Sequence, residues 1–82
     1  LLETYTRQTL EETAANRETL HRIKKLMRQK DERANLVFSM RVSGYSYAQI
    51  AQKAGISESS ARVLEHRIRT WLKQQLEKGG DQ

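Results

Sequence analysis

Residues 44–72, GYSYAQIAQKAGISESSARVLEHRIRTWL, contain two predicted helix starts separated by a glycine turn. The Ser46 hydroxyl can accept from the backbone N–H of Gln49, while the Gln49 side chain reaches back to Ser46, which is a capping box. Gly55 can adopt a positive φ without a clash at Cβ, and so can end this first helix. Ser57 is suited to cap the next one. The stretch therefore predicts a short helix, a tight turn and a longer helix.

The longer helix has two distinct faces. Apolar residues recur at intervals of three, four and four, which is the helical period: Ala61, Leu64, Ile68 and Leu72. The opposite face presents Ser59, Ser60, Arg62, Val63, His66 and Arg67. With the small residue Ala51 between the helices, this pattern is typical of a helix-turn-helix, whose second helix fits the major groove of DNA, about 12 Å wide. The alternative is a helical hairpin that binds another protein, because many helix pairs share this period.

The same residues resemble a known superfamily. GYSYAQIAQKAGIS is similar to the segment GYSYEEIAEILGIS of sigma factor region 4. SESSARVLEHRI resembles both sigma region 4 and the LuxR-type (GerE-like) output domain, in which ISESTVK is common. The resemblance extends over about half the chain, residues 33–72. It implies a DNA-binding domain of three or four helices that is used in transcription.

The resemblance also implies which side chains read DNA. Carried over by position, the base-contacting residues are Glu58, Ser59, Arg62 and Val63, and His66 faces the same groove. Glu58 could accept from cytosine N4, Arg62 could bond guanine or a phosphate, and Val63 could meet a thymine methyl. Sigma region 4 usually has Arg, Glu and Gln where this chain has Glu58, Ser59 and Val63. Recognition of a standard promoter −35 element is therefore not expected.

Phosphate contacts are predicted at two places. Helix starts offer unpaired N–H groups to anions, and the predicted contacts there and along the groove are Ser46, Tyr47, Ser57, Ser60 and Arg67. Residues 21–30 hold five basic residues and no acidic one, and the predicted contacts in this run are Lys24, Lys25 and Arg28. The alternative for this run is a solvated helix face, as charge runs usually are.

Residues 1–30 contain neither proline nor glycine and predict one long amphipathic helix. A spacing of four and three runs along it through Leu2, Thr6, Thr9, Thr13, Asn16, Leu20, Ile23 and Met27. This is a heptad seam with Asn16 at a core position, which suits a two-stranded coiled coil. The alternative is a single helix whose apolar stripe, Leu20, Ile23 and Met27, packs on its own domain.

A further helix is predicted between Asp31, a suitable N-cap, and Gly44, a suitable terminator. Its core-facing residues would be Ala34, Val37, Phe38 and Met40. Tyr45 is expected to plug that core from the loop.

Composition limits the classes of function. The chain has 82 residues, enough for one small core, and a formal charge of +5, which favours an anionic partner. It has no cysteine, and its two histidines lack the spacing of a metal site, so we expect no metal, no cofactor and no enzyme. No apolar run is long enough to span a membrane, so we expect a cytoplasmic, nucleoid-associated location.

The sequence thus predicts an all-α chain, with a long N-terminal helix followed by a three- to four-helix helix-turn-helix domain. Residues 1–30 would serve dimerisation and phosphate contact, residues 31–78 would bind DNA, and residues 79–82 would be a flexible tail. The predicted function is a sequence-specific transcriptional regulator that binds double-stranded DNA as a homodimer. The alternatives are region 4 of an alternative sigma factor working with RNA polymerase, a phage small terminase-type DNA-docking subunit, and a helical adaptor that does not bind DNA.

Overall fold

The computed structural model describes residues 1–10 and 16–79, and these form five helices with no strand among them. The helices are α1 (Leu2–Thr9), α2 (Arg17–Met27), α3 (Glu32–Val42), α4 (Tyr47–Ala54) and α5 (Glu58–Gly79). The all-α prediction is therefore confirmed. Of the predicted tail, only Gly79 belongs to the described residues, as the last residue of α5.

The N-terminal segment is corrected from one long helix to two. Asn16 has extended backbone angles, φ −90° and ψ 179°, and its side chain accepts from the Thr19 N–H at 2.9 Å. It is the exposed N-cap of α2, a position that asparagine favours strongly, so it does not occupy the core of a coiled coil. Thr13 of the predicted seam lies outside the described residues.

The apolar stripe of α2 packs inside its own chain. Ile23 is 0% and Met27 4% exposed, in a cluster that also holds Phe38 from α3 and Leu72 from α5, whereas Leu20 is half-buried. The stripe of α2 therefore packs on its own domain, and Ile23 and Met27 are not available to a coiled-coil partner.

The local signals of α3, α4 and the turn are confirmed. The Asp31 carboxylate caps α3 by accepting from the Ala34 N–H at 2.8 Å. The capping box of α4 is present between Ser46 and Gln49. Gly55 ends α4 in the left-handed conformation, with φ 71° and ψ 34°, which side chains with a Cβ adopt at a cost.

Tyr45 does not plug the core, because its side chain is 46% exposed. The loop backbone is held by two bonds: the Tyr45 N–H donates to Met40 O at 3.1 Å, and Arg41 Nη1 donates to Tyr45 O at 2.9 Å. This arrangement leaves the ring of Tyr45 outside. Tyr47, at the start of α4, packs against the core instead.

Helix α5 belongs to two apolar clusters and so sets the position of everything else. Near its N-terminus, a cluster made with α3 and α4 comprises Val37, Ile50, Ala51 and Ala61. Further along, Ile68, Leu72 and Leu76 join residues of α1, α2 and α3. The small side chains of Ala51 and Ala61 are buried where α4 packs on α5. This packing consequently fixes the position of the N-terminal turns of α5 beside α4.

Candidate nucleic-acid interface

The start of α5 is a capped helix terminus open to solvent. Ser57 Oγ accepts from the Ser60 N–H at 3.0 Å and donates to Ser60 Oγ at 2.8 Å, and both serines are exposed. The first turn of a helix keeps unpaired N–H groups and the positive end of the helix dipole. The backbone of this terminus therefore offers N–H groups to a phosphate, whereas the Glu58 carboxylate in the same turn opposes an anion.

The five residues predicted to contact bases share one exposed face of α5. This recognition face consists of Glu58, Ser59, Arg62, Val63 and His66, all of them exposed. Their spacing of one, three, one and three brings them together on the first three turns. Val63 is 48% exposed, which leaves an apolar side chain among polar ones. The face therefore combines hydrogen-bonding groups with a surface for a methyl group, as base-edge reading requires.

Arg62 is held only loosely by its neighbours. Its Nη2 lies 3.4 Å from Glu58 Oε1, and its guanidinium carbon lies 4.9 Å from the centre of the Tyr47 ring. Both members of the Arg62–Glu58 pair are more than half exposed, and exposed pairs contribute about 0–1 kcal/mol. Arg62 can exchange these partners for a base at little cost.

Tyr47 contacts side chains of two other helices. Its hydroxyl donates to Glu65 Oε1 at 2.7 Å, and the Arg41 guanidinium carbon lies 4.2 Å from its ring centre. Burial, and next the hydrogen bond to Glu65, raise the pKa of Tyr47. Because the hydroxyl proton is already engaged, a phosphate would meet the backbone N–H groups at the start of α4 more readily than this hydroxyl.

The other predicted phosphate contacts near the groove are exposed. Ser46 lies at the start of α4, and Arg67 lies one turn beyond Val63 on α5. Arg67 and Arg33 line an open groove of about 590 Å³, which also contains the acidic Asp31 and reaches Ser59 and Val63 of the recognition face. The structure thus adds Arg33, which the sequence had not singled out, to the cations along this side of α5.

The basic block, defined as Lys24, Lys25 and Arg28, is exposed and belongs to α2 and its C-cap, not to the helix of the recognition face. Helix α2 runs beside the C-terminal half of α5, since Arg22 Nη2 donates to Leu76 O at 3.1 Å and Lys30 Nζ lies 4.0 Å from the Trp71 ring centre. Trp71 is about 20 Å along α5 from Glu58 but only about 8 Å from His66, at 1.5 Å per residue. The block is therefore not part of the recognition face, although α2 runs along the same helix.

Glu65 is a functional candidate that sequence reasoning missed. Although charged, it is only 1% exposed. It accepts from two tyrosine hydroxyls, Tyr5 at Oε2 and Tyr47 at Oε1, each at 2.7 Å. Arg69 Nε lies 2.9 Å from Oε2, but its N–H does not point along a hydrogen bond, so this contact is charge pairing. Burial, and next the hydrogen bond to Glu65, raise the pKa of Tyr5.

A signal for this carboxylate cluster, defined as Glu65, Tyr5, Tyr47 and Arg69, was present in the sequence. Glu65 stands four residues after Ala61 and three before Ile68, on the buried register of α5. A charge in that register needs partners. Tyr5 is sixty residues away, and no local pattern connects the two.

Neither a metal-binding cluster nor a membrane-spanning helix is found in the part of the chain that the structure describes. It contains no cluster of three or more histidine, cysteine, aspartate or glutamate side chains that could bind a metal ion. Among the described helices there is also none that is both long enough and apolar enough to cross a membrane.

Comparison with known families places the chain among known DNA-binding domains. The model of the family "Sigma-70, region 4" matches residues 20–72, more than half of the chain, and extends from within α2 through most of α5. Searches of curated proteins and of solved structures returned no match. Together with the capped α4–turn–α5 unit and its exposed polar face, the match shows that this chain belongs to the sigma-70 region 4 family of DNA-binding helix-turn-helix domains.

Proposed function

We propose that the chain is a sequence-specific transcriptional regulator that binds double-stranded DNA with the first three turns of α5 in the major groove. The observation that carries this proposal is the recognition face itself. All five of its residues are exposed, it begins at a capped helix terminus, and it lies on a helix of the sigma-70 region 4 family. A nucleoid-associated location is part of the proposal, because it follows from binding chromosomal DNA.

Each part of the interface has its own role in the proposal. Glu58, Arg62 and Val63 contact base edges, with Ser59 and His66 beside them. The starts of α4 and α5, at Ser46 and Ser57, hold phosphates through backbone N–H groups. The basic block adds phosphate contacts outside the groove-bound helix, without sequence information.

Selection of DNA from a random double-stranded pool tests the proposal. We expect enrichment of one short motif, and an affinity for it at least 10³-fold above that for unrelated DNA, the lower end for specific binders. The control variant Lys78→Ala should select the same motif, since Lys78 lies about 30 Å along α5 from Glu58. A pool without an enriched motif, or equal binding to every sequence, would contradict the proposal.

A second candidate is a sigma-type partner of RNA polymerase, which the family match favours. In that case the chain would bind purified core RNA polymerase without DNA. Capture of the polymerase by the immobilised chain, unaffected by Arg62→Ala, is the expected result. If the chain binds DNA but retains no polymerase, the sigma-type role is excluded and the regulator proposal remains. The matched family lends no support to the terminase-type alternative.

The homodimer stays a prediction, and its interface must differ from the one first expected. Because Ile23 and Met27 are buried within the chain, a coiled coil through them would require opening the domain. Sedimentation at tens of micromolar, with and without the selected DNA, measures the state of association. A monomer under both conditions, together with a selected motif that lacks two-fold symmetry, would refute the dimer.

A further inference from the structure

Glu65 joins three parts of the chain at one buried carboxylate. A buried charge is costly unless it is paired and hydrogen-bonded. Here Tyr5 comes from α1, Tyr47 from α4, and Arg69 from α5 itself. The position of α4 relative to α5 is therefore tied to partners that satisfy Glu65.

One of these partners comes from outside the family domain. Tyr5 lies on α1, whereas the family match begins at residue 20. Its ring packs edge-on against Phe38, with the centroids 5.4 Å apart, and its hydroxyl reaches Glu65. Helix α1 is thus attached to α5 within one turn of Arg62 and Val63.

The contacts continue from Glu65 to the recognition face. Tyr47 binds the other carboxylate oxygen, and its ring stands 4.9 Å from the Arg62 guanidinium carbon. A change in the Glu65 carboxylate would move the hydroxyl of Tyr47, and with it the ring beside Arg62. This chain of contacts runs from α1 to the side chain proposed to read a base.

We propose that Tyr5 is a positioning residue for DNA recognition, so that α1 is part of the DNA-binding unit and not a separate arm. Through Glu65 it fixes the orientation of Tyr47 and of α4 against the recognition face. The inference rests on the proposed DNA binding and deepens it, because it adds a helix that lies outside the residues matched by the family.

Tyr5→Phe tests the inference, because it removes only the hydroxyl and keeps the ring against Phe38. Affinity for the selected DNA should fall roughly 2- to 30-fold, the usual range for residues that act through others. The slope of log affinity against log salt should not change, since every phosphate contact remains in place. Thr6→Val is the matched control: it removes a buried hydroxyl whose bond, to Leu2 O at 2.7 Å, stays within α1. Its affinity should equal that of the unsubstituted chain.

A measurement without DNA separates this inference from the proposed function. Amide hydrogen exchange should accelerate along α4 in Tyr5→Phe and stay unchanged along α2. If Tyr5→Phe fails to fold, Glu65→Gln, which keeps one acceptor oxygen, replaces it with the same expectation. Normal affinity together with unchanged exchange in α4 would overturn the inference. An unsubstituted chain that selects no DNA would instead refute the proposed function, and exchange would still decide whether α1 holds α4.

Discussion

Within the described residues, Arg62 contacts the Glu58 carboxylate and the Tyr47 ring. The first neutralises its charge, and the second limits the directions in which its side chain extends. On binding, the guanidinium can leave Glu58 for a guanine edge while the ring still guides it. Glu58 is then free to accept from a cytosine N4 amine. The pair is therefore suited to read neighbouring bases.

Arg62→Ala tests the base contact. Specific binding should weaken by about 1–3 kcal/mol, and selectivity should relax at a single base pair, because alanine cannot form the bidentate bond to a base. Competition binding against a set of singly substituted sites measures both effects. An equal reduction for every sequence would identify Arg62 as a phosphate contact instead. Lys78→Ala should change neither quantity.

The tyrosine hydroxyls of the carboxylate cluster make stability depend on alkaline pH. The pKa of Tyr5 is raised in the folded chain, whereas in the unfolded chain it is about 10. Above pH 10 the unfolded chain releases this proton and the folded chain keeps it. The free energy of unfolding should therefore fall by about 1.4 kcal/mol per pH unit for this one group. Below pH 10 the contribution is fully present.

Urea denaturation at pH 8, 10 and 11 checks this dependence. Tyr5→Phe should be less stable at pH 8 and should lose less stability between pH 10 and 11 than the unsubstituted chain. Tyr45→Phe, at an exposed tyrosine, should behave like the unsubstituted chain. Equal slopes for all three would show that the Tyr5 hydroxyl does not carry the effect.

What the sequence could predict at this scale depended on distance along the chain. The Ser46–Gln49 box and the left-handed Gly55 lie within a few residues of their partners, so local rules were sufficient. Glu65 was overlooked because its charge suggests solvent and its tyrosine partners come from other helices. The recognition face was predicted from the resemblance and the helical period, and its five residues are exposed together.

Helix α2 illustrates how a repeat can mislead at the scale of elements. Threonines at a spacing of four and three continued the seam of Leu20, Ile23 and Met27 towards the N-terminus, and no proline or glycine interrupted it. The cap at Asn16 was the missed signal, because asparagine ranks among the best N-caps. Periodicity alone could not distinguish packing on a second chain from packing on the same one.

Asn16→Leu separates the two roles of this residue, since they predict opposite signs. In the core of a coiled coil, leucine would stabilise the assembly. As the N-cap of α2, its replacement should destabilise the chain by about 1 kcal/mol. Thermal or urea unfolding measures the sign. Asn16→Asp, which keeps a capping oxygen, should stay close to the unsubstituted chain.

If the basic block contacts phosphates, it should contribute to the salt dependence of DNA affinity. Replacing Lys24, Lys25 and Arg28 with alanine should reduce the slope of log affinity against log salt by about 0.9 for each phosphate that the block neutralises. Sequence preference should not change, because phosphates carry no base information. Affinity for the selected DNA at four salt concentrations gives the slope. An unchanged slope would show that this side of α2 faces away from DNA.

At the scale of the molecule, the two apolar clusters share α5 and should unfold together. Trp71 packs against the cluster of α1, α2 and α3, whereas Ile50 and Ala61 belong to the cluster of α4. Trp fluorescence and far-ultraviolet circular dichroism should therefore give coincident urea transitions, as two-state unfolding requires. A circular-dichroism transition that precedes the fluorescence transition would show that α4 melts independently.

The buried Glu65 also has a consequence for how this chain can change in evolution. Replacing one of the three partners of this glutamate, the two tyrosines or the arginine, should destabilise the fold, because the carboxylate would stay buried without a full set of partners. An apolar residue at position 65 would in turn leave two hydroxyls without their acceptor. Among descendants of this sequence, positions 5, 47 and 65 should be inherited as a set: tyrosine, tyrosine and glutamate together, or apolar side chains at all three.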